Sequence, residues 1–254
     1  MMNDLIIGII QGITEFLPIS SSGHLVIFSS LSESVKLNTN DIAFLHIGTL
    51  FSIIVFYRNR LSETFFNKEK LNHTIKIILI AIIPAVVIGL FSPIQEVIDT
   101  STNLLTITGI AYFGFASFLL SYEFTKKNQE DGKILFENIS SQHALYIGLA
   151  QAIALVPGVS RSGVTLIVAL YLGLKRSDAI YFSLLLGLPT IFGAWLLTFV
   201  QSSYAFNLEI VIPTIVSFIA GFVAIKILVN FTLNAKLRYF GFYCLALSTL
   251  CFIS

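Results

Sequence analysis

Apolar residues run along this chain in long unbroken stretches, not in alternation. Six of the stretches approach the length of a membrane span: residues 41–57, 74–91, 104–122, 179–200, 210–229 and 238–253. A helix needs about 20 residues to cross a hydrocarbon core about 30 Å thick, so the shorter ones are marginal. Two further apolar regions, 3–30 and 143–174, are interrupted at their centres by LPISSSG and VPGVSRSG. Pro18 and the Pro157–Gly158 pair break a helix, and serine clusters face lipid poorly. Each of these regions is predicted to be a re-entrant helix–loop–helix hairpin, because broken backbone at membrane depth is tolerated only where it lines protein or a water-filled cavity. The predicted fold class is an all-α integral membrane protein with six transmembrane helices and two re-entrant hairpins.

The two interrupted regions resemble each other. Ser20-Ser21-Ser22-Gly23 matches Ser160-Arg161-Ser162-Gly163 at an offset of 140, and Gln11 matches Gln151 at the same offset. Ile83-Pro84 and Ile212-Pro213 each lie in the second span of their half. This pattern predicts one membrane domain built of two repeats, 1–122 and 143–254, joined by a linker over 123–142. Each repeat is a hairpin followed by three spans. Three is odd, so the second repeat must sit inverted relative to the first, an architecture known for broken-helix membrane proteins.

Composition agrees. Hydrophobic residues make up 56% of the 254 and charged residues only 11%, against roughly 25% in an average soluble domain. Fifteen basic residues balance fourteen acidic ones, which excludes the basic excess of a nucleic-acid binder. The N-terminus lacks a basic n-region, and the first positive charge is Lys36, so no cleaved signal peptide is expected. On the six-span arrangement one side receives Arg58, Arg60, Lys68, Lys70, Lys76, Lys126, Lys127, Lys133, Lys175, Arg176, Lys226, Lys236 and Arg238. The other side receives Lys36, while Arg161 lies within a hairpin. That asymmetry predicts extracytoplasmic termini. The first hairpin then enters from outside and the second from the cytoplasm.

Polar groups at membrane depth are costly without partners, so they are the candidates for chemistry. The first hairpin offers Gln11, Glu15, Ser20, Ser21, Ser22 and His24; the second offers Ser160, Arg161, Ser162 and Thr165. Gln11 and Glu15, four apart, share a helical face. If the hairpin tips meet, one cavity holds a carboxylate, an imidazole, a guanidinium and several hydroxyls. That inventory suits phosphoryl chemistry. Arginine forks onto phosphate oxygens and stays charged when desolvated. Loops opening into helices present backbone N–H groups to an anion. Glu15 suits a divalent cation, magnesium or calcium, with water and phosphate completing the shell. Ser21, His24 or a water can attack phosphorus, and His24 can instead move a proton.

Structural readings stand beside these. Glu15 and Arg161 read, as the lesser alternative, as a structural ion pair joining the hairpins, and serines pack small between helices. His46 reads as a packing residue in its span, and His73 and His143 as interfacial. Cys244 and Cys251, seven apart, read as packing residues, too far apart for a disulfide. Gly89, Gly114, Gly187, Gly193 and Gly221 read as close-packing sites.

QGITEFLPISSSGH (11–24) and PGVSRSGVT (157–165) resemble the two signatures of the undecaprenyl-diphosphate phosphatase family of bacteria, the bacitracin-resistance proteins. IPAVVIGL (83–90), YFSLLLGLP (181–189) and AGFVAIK (220–226) extend the likeness over nearly the whole chain. The resemblance implies a membrane phosphatase that hydrolyses undecaprenyl diphosphate to the monophosphate and phosphate, using a divalent cation. Such an enzyme recycles the lipid carrier for peptidoglycan and confers bacitracin resistance. Glu15, Ser21, His24 and Arg161 carry over as catalytic residues, with Gln11, Ser20, Ser22, Ser160, Ser162 and Thr165 as substrate-binding ones. The implied partners are a polyprenyl diphosphate and the plasma-membrane bilayer, with the site opening outward; a homodimer is left open. Gln11 stands where Glu is the family's alternative. Tyr243-Cys244 stands where relatives carry Tyr-Arg, a change expected to touch the last helix and not the chemistry. The segment 58–73 reads as a short loop. The alternative class is a secondary transporter or lipid-phosphate scramblase, which inverted repeats would also suit.

Overall fold

The computed structural model describes residues 2–31, 39–93, 97–98, 100–126, 131–201 and 208–253. Lys36 and Lys127 lie outside the described residues. Eleven α-helices occur among them. The first interrupted region becomes α1 (Met2–Phe16) and α2 (Ser21–Leu31). Next come α3 (Thr39–Phe56), α4 (Arg58–Phe66), α5 (Lys68–Phe91) and α6 (Leu104–Lys126). The second interrupted region becomes α7 (Ser141–Ile153) and α8 (Arg161–Tyr171). They are followed by α9 (Arg176–Gln201), α10 (Val211–Leu233) and α11 (Arg238–Ile253). Every stretch predicted as a span is helical, and both predicted breaks fall between helices.

Helices α5, α6, α9 and α10 are long and apolar enough to cross a membrane. A fifth crossing is counted if α3 and α4 are one span bent by 72°. At 16 residues, α11 is shorter than a simple span. The outward faces remain apolar: α5 exposes Ile75, Leu79, Ile83, Val86 and Leu90. An apolar face of that size belongs against lipid. The protein is a multi-pass membrane protein.

Two expectations need correction. The segment 58–73 is not a loop: α4 fills most of it, and Asn67 immediately caps α5 by accepting from the N–H groups of Glu69 and Lys70. Helix α10, predicted to end at 229, continues to Leu233, with Lys226 inside it. Charged residues end a hydrocarbon span without ending its helix, because their long stems reach the interface. Of the glycines read as packing sites, a Cβ on Gly221 would overlap Ser52 and Phe16, and one on Gly187 would overlap Arg161. Gly114 and Gly193 face open space instead, and Gly114 lines an apolar cleft between α6, α7 and α8.

The packing is reciprocal between the halves. Helix α1 lies on α10, and α7 lies on α5. Helix α3 packs on α9, and α6 on α11. Missing side chains permit the first contacts: a Cβ on Gly8 would come 2.6 Å from the Pro213 carbonyl, and one on Gly12 2.5 Å from that of Ser217. Gly148 of α7 meets the Ala81 backbone of α5 in the same way. This arrangement brings the two breaks together at the centre of the molecule.

Candidate active site

The breaks are tied to each other by serines. Ser20 follows Pro18 with φ 63°, a left-handed conformation that turns the chain into α2. Its Oγ accepts from Gly23 N at 3.3 Å and, across the molecule, from Gly158 N at 3.1 Å. Ser160 caps α8 by accepting from Gly163 N, and donates to the Leu17 carbonyl at 3.3 Å. Ser162 donates to the Phe16 carbonyl at 3.0 Å. Thr165, fully buried, donates to the Arg161 carbonyl and sits 2.7 Å from Ser183 Oγ. Ser20, Ser160, Ser162 and Thr165 thus satisfy the broken backbone and fix one hairpin against the other. The exposed Ser22 has its hydroxyl 3.4 Å from that of Ser20.

Inside this frame stands Glu15, 8% exposed at the end of α1. Its Oε1 accepts from Arg161 Nη2 at 2.6 Å. Its Oε2 accepts from Gln11 Nε2 and Ser21 Oγ, each at 2.9 Å, and lies 3.5 Å from His46 Nε2. The expected meeting of hairpins therefore occurs, joined by an ion pair. Four neighbours around one buried carboxylate offset its desolvation. Two polar atoms are left over: Gln11 Oε1 and Arg161 Nη1 are buried without a hydrogen-bond partner. Orphaned buried groups of this kind mark a place where a ligand completes the bonding.

His24 is not part of the Glu15 cluster's hydrogen bonding. Its Nδ1 lies 2.7 Å from the Ser20 carbonyl, which can only accept, so Nδ1 carries the proton. Nε2 lies 2.8 Å from the Tyr243 hydroxyl, from which the neutral ring accepts, with the two rings stacked. Tyr112, fully buried, packs edge-on to the imidazole and donates to the Ile19 carbonyl. Ser21 and His24 are one turn apart on α2, so Ser21 links the carboxylate to the imidazole's side of the helix.

Sequence reasoning missed three participants. His46, read as packing, reaches Glu15; its only signal was an imidazole in mid-span. Tyr243 reaches His24, so the Tyr243-Cys244 departure lies against the site, and the Cys244 thiol itself touches the Pro18 carbonyl. Tyr112 holds the first break from behind. Their helices come from distant parts of the chain, and only the fold brings them in. Cys244 and Cys251 are buried free thiols, as expected of packing residues. His143 closes a capping box with Ser140, and His73 packs edge-on to Phe136.

Fold and site together define a multi-pass helical membrane protein with one buried carboxylate–guanidinium centre built from two broken helix pairs. The chain belongs to the bacitracin resistance protein BacA family, whose profile matches residues 4–250. It is 40% identical over 256 residues to a Thermosipho africanus protein named undecaprenyl-diphosphatase, with 99% of each chain covered. A Methanococcus maripaludis protein of the same name is 38% identical, with 96% of each covered. One from Corynebacterium glutamicum is 33% identical, covering 94% of this chain and 85% of that one.

Proposed function

We propose that this chain is an undecaprenyl-diphosphatase: it hydrolyses the anhydride bond of undecaprenyl diphosphate, releasing undecaprenyl phosphate and inorganic phosphate. The reaction recycles the lipid carrier for cell-wall synthesis, which is also how such an enzyme confers bacitracin resistance. Family membership and the names of the full-length relatives support the reading. The observation that carries it is the ion pair of Glu15 and Arg161 across the two hairpins, with Arg161 Nη1 free to bond a third group. A phosphate oxygen is the acceptor that suits a desolvated guanidinium.

The geometry supports the following roles. Arg161 holds the terminal phosphate and balances charge that builds on its oxygens. Ser21 Oγ, hydrogen-bonded to Glu15, is placed either to attack phosphorus or to orient the attacking water. His24, with Nε2 unprotonated against Tyr243, is the group able to take up or return a proton. Ser20, Ser160, Ser162 and Thr165 position these groups. A divalent cation, magnesium or calcium, fits at Glu15: the carboxylate and the orphaned Gln11 Oε1 supply two oxygens, leaving the rest to water and phosphate. When bound, it offsets the negative charge of the diphosphate. Among the described residues no three His, Cys, Asp or Glu side chains cluster, so the protein alone does not fill the shell.

The reciprocal packing supports the finer plan of six membrane-crossing helices and two re-entrant hairpins in inverted repeats. The basic residues support a plasma-membrane orientation with the site opening extracytoplasmically. The test is phosphate release from a polyprenyl diphosphate by the purified chain in detergent. Release that stops in Glu15→Gln and Arg161→Ala is expected. No release, with lipid phosphate redistributing across liposomes, would place the chain in the transporter or scramblase class instead.

A further inference from the structure

A second polar site lies where α4 meets α5, away from the Glu15–Arg161 centre. The two helices and the short turn Phe136–Asn138 enclose a cavity of about 380 Å³. That is the size of a small-molecule pocket, larger than a single ion needs. Its lining includes two side chains with a buried polar atom that has no hydrogen-bond partner, Thr74 at Oγ1 and His73 at Nε2. Thr74 is only 8% exposed. Thr64, Thr108 and Thr232, equally buried in helices, each donate to the carbonyl four residues earlier. Thr74 leaves that bond unmade, so the cavity is where its hydroxyl finds a partner.

Charge decides what the cavity takes. Arg60 is neutralised by Asp178 and sits over the Tyr181 ring, 3.8 Å from its centre. Lys70 pairs with Glu137 at 3.6 Å. Glu63 on α4 and Glu69 on α5 line the exposed rim and pair with no base among the described residues. The lining therefore carries uncompensated negative charge and draws a cation. Among the described residues no three His, Cys, Asp or Glu side chains are placed to hold a metal, so the cation is an organic one.

We propose that this cavity binds a primary ammonium group, held by Glu63, Glu69 and the Thr74 hydroxyl. Such a group has three N–H donors, and these side chains offer three acceptors. Two sources carry it: the amino headgroup of a phospholipid and a free polyamine. Helix α4 turns 72° from α3, and its end exposes Phe65 by 67% and Phe66 by 91%. Exposed aromatic rings beside charged residues belong at the membrane–water interface, which puts the rim at headgroup level and favours the lipid.

The purified full-length chain in detergent is studied by native mass spectrometry with phosphatidylethanolamine, phosphatidylcholine, phosphatidylglycerol and spermidine as probes. Phosphatidylethanolamine is expected to bind about tenfold more tightly than phosphatidylcholine, whose quaternary nitrogen has no N–H, and than phosphatidylglycerol, which has no nitrogen. Spermidine binding with the three lipids alike would keep the site and make a free polyamine its ligand. In Glu63→Gln/Glu69→Gln, and separately in Thr74→Val, binding of the amine is expected to weaken by about tenfold or more. Phosphate release from a polyprenyl diphosphate should continue in both variants, which shows that they fold. The two variants alter rim and interior separately, so either one that folds decides. Binding of neither amine, or equal binding by wild type and variants, overturns the proposal. So does phosphatidylcholine or phosphatidylglycerol held as tightly as phosphatidylethanolamine when spermidine does not bind. The cavity shares no residue with the Glu15–Arg161 centre, so each of these results leaves the phosphatase reading to its own test.

Discussion

Arg161 shows how much a single side chain depends on its surroundings here. Its Nη2 is held by Glu15, and its Nη1 lies over Gly187, where any Cβ would displace it. Lysine at 161 keeps the charge but loses the fork, so Arg161→Lys is expected to lower phosphate release by about 10²-fold or more, the scale of losing a main transition-state donor. Gly187→Ala is expected to lower it as well, with thermal unfolding in detergent little changed. Near-normal turnover in both would make the Glu15–Arg161 pair purely structural. Tyr243 is the complementary case. Tyr243→Phe removes the hydroxyl that His24 Nε2 accepts from, and should lower kcat while KM changes little. Equal effects on both would make Tyr243 a packing residue. The residues within the two signatures were legible in the sequence because carboxylate, guanidinium and imidazole are expensive at membrane depth and so demand a purpose. Tyr243 and Tyr112 were not, since an aromatic residue in an apolar helix has the same sequence signature whether or not its hydroxyl meets a partner. His46 was visible, but its partner is on another helix.

At the scale of the helices, the breaks do as much as the spans. Proline and serine announced both interruptions, and the structure shows why serine is needed there: broken backbone in the membrane must find bonds outside regular helix. Ser20 supplies two of them from one oxygen, and adopts a left-handed φ while doing so. Ser20→Ala leaves the Gly158 and Gly23 N–H groups without that acceptor, at a cost of about 1–3 kcal/mol for a buried unsatisfied donor. Ser20→Gly loses the same bonds but relieves the backbone conformation. The expected order of stability in detergent is therefore wild type, then Ser20→Gly, then Ser20→Ala, with activity following the same order. Alanine more stable than glycine would show that the left-handed conformation at position 20 carries no strain for glycine to relieve. Element ends were the weak point of sequence reading: the charged α4 was read as a loop, and α10 runs to Leu233, past the predicted end of its span at 229. Hydropathy reports where hydrocarbon stops, whereas the helix stops only at a cap such as Asn67.

For the whole molecule, the reciprocal contacts carry an asymmetry. Glu15 has Leu155 as its counterpart at the offset of 140 residues, so the two halves share a frame while only the first hairpin brings a carboxylate. The repeat itself was legible through Ser20-Ser21-Ser22-Gly23 and Ser160-Arg161-Ser162-Gly163; the contact of α1 with α10 and of α7 with α5 was not, because glycines record close approach without naming the partner. The proposed orientation can be tested without touching the site. In the six-span inverted plan, Asn103 precedes α6 on the outer side, and Asn138 lies between the halves among the basic residues. Both are exposed, and the native thiols Cys244 and Cys251 are buried, so a cysteine placed at either position reports alone. In intact cells a membrane-impermeant thiol reagent should label Asn103→Cys, and should label Asn138→Cys only after the membrane is opened. With that result the first hairpin enters from outside, and phosphate leaves on the extracytoplasmic face. Labelling of Asn138→Cys alone would reverse the orientation and place hydrolysis on the cytoplasmic face. Labelling of both in intact cells would mean an even number of crossings separates them, which removes the inverted repeat while leaving the Glu15–Arg161 centre as it stands.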